Sequence, residues 1–134
     1  MKLSTLMIAN SVVAGLFGLG FILVPGRVVA LYTAEASVTI DYVAQLLGGA
    51  LLSFAIVTWA ARNAPDSEAR RAILLGLFIG DVVGCVVALI AQLGGLVNAI
   101  GWSTVVIYLV LAIGFGYFRF GAGAEAAGAA GVNA

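Results

Sequence analysis

The chain has 134 residues, of which 63% are hydrophobic and 9% charged, with six basic side chains balancing six acidic ones; an ordinary soluble domain carries about 25% charged residues. With a mean hydropathy of +1.19 this is the composition of a membrane protein, and the lack of a basic tract excludes an electrostatic surface for nucleic acid. Histidine is absent and Cys85 is the single cysteine, which removes the commonest metal ligand, the usual haem ligand, the neutral-pH proton shuttle and any intrachain disulfide.

A hydrocarbon core about 30 Å thick takes about 20 helical residues to cross. The first apolar run that meets this length, Leu3 to Val24, stops at Pro25-Gly26-Arg27, where a donor is lost and a charge follows. Lys2 and the small-x-small set Ala34-Glu35-Ala36 have the form of a secretory signal, but the run is too long and Arg27 intervenes, so a retained span is expected. The segment RVVALYTAEA, from Arg27 to Ala36, reads either as a short interfacial helix with Val28, Val29, Leu31 and Tyr32 toward lipid or as an irregular loop.

The second run, Tyr42 to Ala61, ends at Arg62-Asn63-Ala64-Pro65. The third, Ala72 to Leu93, follows Asp66-Ser67-Glu68, whose side chains suit the open amides of a helix N-terminus. Gly94-Gly95 separates it from the fourth, roughly Ile100 to Phe118. The runs are continuous rather than alternating, so helices are expected and a barrel is not. Residues 1–120 are then one four-span domain, and the Gly/Ala-rich stretch 121–134 a disordered cytoplasmic tail. The runs do not split into matching halves, so an inverted-repeat transporter within one chain is not expected.

Lys2, Arg62, Arg70, Arg71 and Arg119 fall on one side of a four-span chain and only Arg27 on the other. That bias predicts an all-α, up-down-up-down transmembrane bundle in the bacterial inner membrane, with both termini cytoplasmic.

Asp81 follows Ala72 by nine residues and precedes Leu93 by twelve, which puts it about 14 Å from one end of the span and about 18 Å from the other. Ser53 and Tyr108 lie at similar depth, and Asn10 and Ser11 nearer the cytoplasm. Gln45, Gln92, Asn98, Ser103 and Thr104 form a second polar layer toward the outside. Asp81, Cys85, Ala88 and Gln92 share one face of the third helix, and that face is expected to look inward, because an acid turned to lipid costs about 2.5–3.5 kcal/mol or more. No Lys or Arg within a span pairs with Asp81. It is expected to be neutral much of the time and to donate a hydrogen bond to Ser53 or Tyr108. Two readings stay open: a proton- or ligand-binding group in a cavity, or a structural hydrogen bond between helices, typically worth about 0.6 kcal/mol.

Gly76, Gly80, Gly84 and Ala88 place a small residue at every fourth position of the third helix, a ladder that admits close packing within the chain or between copies. Weaker steps occur at Ser11-xxx-Gly15, Ala14-xxx-Gly18 and Gly49-xxx-Ser53. Phe17, Phe21, Phe54, Phe78, Phe115, Phe118 and Phe120 are scattered and expected to fill core or lipid-facing space.

The pattern VPGRVVALY, then LLGGALLSFAIVTWAAR, then ARRAILLGL resembles small four-helix bacterial membrane proteins grouped as a domain of unknown function and, more loosely, the DoxX-like group. The resemblance covers roughly the first three helices, implies the four-helix fold and carries over no catalytic residue. The chain is also near the size of the small multidrug-resistance exporters, whose essential acid is a glutamate in the first helix. Here that helix has no acid.

No nucleophile, base and orienting group converge, so neither an enzyme nor a cofactor is expected. The expected function is a non-catalytic accessory subunit or self-associating module, with the lipid bilayer and a homo-oligomer or larger membrane complex as partners. The alternative is a small oligomeric proton-coupled carrier or binder using Asp81.

Overall fold

The structure, a computed structural model, describes residues 2–33 and 37–121. Every regular element among them is helical: α1 (Leu3–Leu23), α2 (Pro25–Ala30), α3 (Val38–Ala61), α4 (Glu68–Leu93) and α5 (Gly101–Gly116), the last continuing into a π-helical turn over Tyr117–Gly121. Four of them are long and apolar enough to cross a membrane: α1, α3, α4, and α5 with its π extension. The expected disordered tail lies outside the described residues from 122 onward, as do residues 34–36 of the loop before α3.

The helix boundaries follow from local chemistry. Ser37 caps α3 by accepting a hydrogen bond from the Ile40 amide at 3.2 Å, and Asp41 occupies the first turn. The helix therefore starts at Val38, ahead of the apolar run, because a cap and an acid stabilise an N-terminus that hydropathy alone does not reveal. Ser67 does the same for α4, accepting from the Arg70 amide at 3.2 Å, so that α4 starts at Glu68. Val24 breaks α1 with φ −141° and ψ 55°, and Pro25 opens α2 at the position where its missing amide costs nothing. The expected interfacial segment is thus helical from Pro25 to Ala30. Tyr32, which that reading turned toward lipid, faces inward instead. At the end of α4 the chain turns through Gly95 at φ 70°, where Gly94 N donates to Ile90 O at 2.9 Å and Leu96 N to Ala91 O at 3.0 Å.

Sequence neighbours pair in space. α1 lies antiparallel along α3, and α4 along α5. The first pair is close enough for backbones to touch: a Cβ built on Gly48 would fall 2.8 Å from the Gly18 carbonyl oxygen, and one on Gly18 would fall 3.0 Å from Gly48 O. Ser11 Oγ donates across the same seam to Ala55 O at 2.7 Å. The second pair is held by Tyr108 against Gly84, by Phe78 against Gly116 and by Gln92 against Gly101.

The two pairs meet at two places. At one end Leu6, Met7, Ala61, Leu74, Leu77, Leu111 and Phe115 form the buried core. At the other, Asn98 joins the α4–α5 turn to the end of α2, its Nδ2 donating to Leu31 O at 2.7 Å and its amide to Tyr32 O at 3.0 Å. The outward surfaces of the long helices are apolar, with Leu16 67%, Ile56 68% and Ile113 65% exposed, a covering that acyl chains satisfy and water does not.

Candidate functional site

Between those two meeting places the helix pairs stand apart and leave a cleft of about 380 Å³. Asn10, Phe17 and Phe21 of α1 line it, with Leu51 and Phe54 of α3, Gly76, Gly80 and Asp81 of α4, and Thr104, Ile107 and Tyr108 of α5. Leu77 and Leu111, both core residues, floor one end, while Tyr32 and Val97 close the other. The cleft thus lies between the α1–α3 pair and the α4–α5 pair.

Among the described residues, Asp81 is the one charged side chain lining the cleft. It is buried, with 8% of its surface exposed, and its Oδ2 has no hydrogen-bond partner among the described residues. A carboxyl in an apolar setting without donor or countercharge is costly. Among the described residues lining the cleft, none supplies the compensating charge.

The polar layer expected from the sequence is divided by the fold. Ser53 does not reach Asp81: it is exposed, and its Oγ donates to Gly49 O in its own helix at 3.2 Å. Tyr108 shares the cleft with Asp81 and packs its ring on Gly84, but no hydrogen bond joins it to the acid. Gln45 is exposed at the α1–α3 seam, donating to Ile22 O at 3.4 Å. Gln92 packs against Gly101 and leaves Oε1 buried without a partner among the described residues. The inward face of α4 splits likewise. Asp81 and Ala88 line the cleft, whereas Cys85 reaches Val105 O of α5 at 3.9 Å.

The small-residue ladder is divided too. Gly84 sits in the α4–α5 contact, where a Cβ would come within 2.5 Å of the Tyr108 ring. A Cβ on Gly76 or Gly80 would meet nothing within 4 Å, and both residues line the cleft. Their small size widens the cleft, and no described residue packs against them. Backbone contact occurs instead between α1 and α3, around Gly18 and Gly48.

Several lining residues carry no motif. Asn10, Val13, Ala14, Phe17 and Phe21 fall on one face of α1 at helical spacing, and Phe17 and Phe21 stack with centroids 6.2 Å apart. That periodicity was the available signal. Tyr32 enters from the loop and accepts a hydrogen bond from Thr104 Oγ1 at 3.2 Å, a contact between distant segments that no sequence period announces. The described residues contain no group of three His, Cys, Asp or Glu side chains able to hold a metal. No family model, no curated protein and no solved structure matches the chain.

Proposed function

We propose that the chain is a small membrane-embedded binder or carrier whose ligand enters the cleft sideways from the bilayer and is held at Asp81. In the same reading the four spans run up-down-up-down in a bacterial inner membrane with both termini in the cytoplasm, as the loop charges favour.

The observation that supports this is a buried carboxyl, its Oδ2 without a partner among the described residues, lining an apolar cleft. Volume argues the same way. Small-molecule sites usually measure about 300–1,000 Å³, whereas a spanning helix, about 10 Å across and 30 Å long, occupies roughly 2,000 Å³. The cleft of about 380 Å³ falls in the range of small-molecule sites. Gly76 and Gly80, on which an accessory or self-associating role would draw for packing, line this cleft.

Nanodisc-embedded protein titrated with the neutral hydrocarbon pentylbenzene tests the site. Saturable chemical-shift changes should appear at Phe17, Gly80 and Ile107 and vanish in Gly80→Leu, whose side chain fills the cleft. Shifts that never saturate, or that ignore the Gly80 substitution, would sink the reading.

A further inference from the structure

Resting on the cleft being a binding site, we propose that its ligand is a monovalent organic amine cation with an apolar body, and that amine and proton occupy Asp81 in mutual exclusion.

Each element of that chemistry comes from the lining. A single carboxylate balances one positive charge and no more. Its Oδ2 is buried and lacks a donor among the described residues, so the complementary head group is one that brings both a charge and an N–H, which is a protonated amine. The rings of Phe17, Phe21, Phe54 and Tyr108 line the same space, and aromatic faces attract alkylammonium groups as well as hydrocarbon. An acyl chain or a neutral hydrocarbon fits the walls but leaves the acid uncompensated.

No other charged group competes for the acid. Among the cleft-lining residues of α1, α3, α4 and α5 there is no lysine, arginine or second acid, and the only other titratable side chains are the phenols Tyr32 and Tyr108. On α4 itself, Cys85 lies one turn away and packs against α5. Binding therefore balances simply: the carboxyl O–H proton leaves to solvent, the amine keeps its own proton, and an N–H donates to the carboxylate. Loss of the amine reverses the exchange. Gly76 and Gly80, one and two small steps along the same face of the cleft, leave the room that the apolar body needs.

The probe is 4-phenylbutylamine, compared with pentylbenzene, its uncharged counterpart of nearly the same shape, by calorimetry on nanodisc-embedded full-length protein. The amine should bind roughly tenfold or more tighter, as a charge-assisted hydrogen bond gives. In Asp81→Asn the amine should fall to the affinity of the hydrocarbon, while hydrocarbon binding persists and reports an intact cleft. In the unmodified protein, titrations in buffers of different ionisation heat should show up to one proton released per amine bound, diminishing as pH rises. Equal affinity for the two probes overturns the amine assignment and leaves the cleft reading standing. Binding of neither overturns both. Tighter amine binding that survives Asp81→Asn, or the lack of proton release at every pH at which the protein stays folded, overturns the exchange at Asp81 even if the variant proves hard to purify.

Discussion

Asp66 and Asp81 show what surroundings do to one side chain. Asp66, in the loop before α4, accepts from Arg71 Nε at 3.2 Å and Nη2 at 2.8 Å and pairs with Arg70 at 3.2 Å. The hydrogen bond from Arg71 holds its carboxyl below the usual 3.8, with the charges of both arginines acting the same way. A carboxyl whose folded value is depressed stabilises the fold above its unfolded value and loses that contribution as pH falls through the folded one. The loop contact should thus be constant from neutral pH down to about pH 4 and weaken below it. Carboxyl-carbon NMR of Asp66 should show a midpoint under 3.8, and a midpoint at or above that value would contradict the pairing.

Asp81 has no such partners. Replacing an unpartnered buried polar group by an apolar one of similar size removes a desolvation cost without losing a bond. Asp81→Leu should therefore raise unfolding stability by about 1–3 kcal/mol, measured in mixed micelles or by steric trapping. A residue that glued helices together would give the opposite sign. The inward aspect of Asp81 was legible in the sequence, because a lone acid constrains the rotation of its helix, and the side chain is buried. Its partners were not, since depth ranks residues along the membrane normal and says nothing of which lie side by side. Ser53 matches Asp81 in depth yet bonds within α3.

Among the elements, the contrast between α1–α3 and α4 decides how glycines behave. Gly76→Ala and Gly80→Ala meet nothing within 4 Å and should be neutral or stabilising by up to about 1 kcal/mol through helix propensity. Gly84→Ala must displace the Tyr108 ring, and Gly48→Ala collides with the Gly18 carbonyl 2.8 Å away. Each should cost about 1–3 kcal/mol as overpacking does, read as reduced stability of the purified protein. Equal effects at Gly80 and Gly48 would mean that the ladder packs after all. The four apolar helices were readable from hydropathy, since a 20-residue apolar run leaves the backbone no other solution in lipid. The cap of α4 was legible in Asp66-Ser67-Glu68, where Ser67 does cap the helix, whereas the early start of α3 was not, because Ser37 acts through a single hydrogen bond outside the apolar window. The small-residue ladder left its neighbours open for a physical reason: an absent side chain permits a close neighbour but equally leaves a gap, and within the chain Gly84 meets the Tyr108 ring whereas Gly76 and Gly80 border the cleft.

For the molecule as a whole, orientation is the property that loop charges govern. With Cys85 replaced by alanine, a cysteine at Ala99 should react with a membrane-impermeant maleimide on intact cells and one at Asn63 only after permeabilisation. The reverse pattern would invert the proposed topology. That the four helices form two pairs with a cleft between them was not visible beforehand. Periodicity identifies buried faces without matching them, and the latch that spaces the pairs rests on Asn98 bonding to Leu31 and Tyr32.

The preference of each long helix for its immediate neighbour in the chain bears on biosynthesis. A ribosome feeding the insertion machinery delivers α1 and α3 before α4 emerges, so the first half can settle its own contacts in the bilayer while the second is still being translated. Only six residues, 62–67, join the halves. Two polypeptides cut within that stretch and coexpressed should therefore find each other in the membrane and copurify, whereas a cut between α4 and α5 would sever a seam and should yield fragments that are degraded.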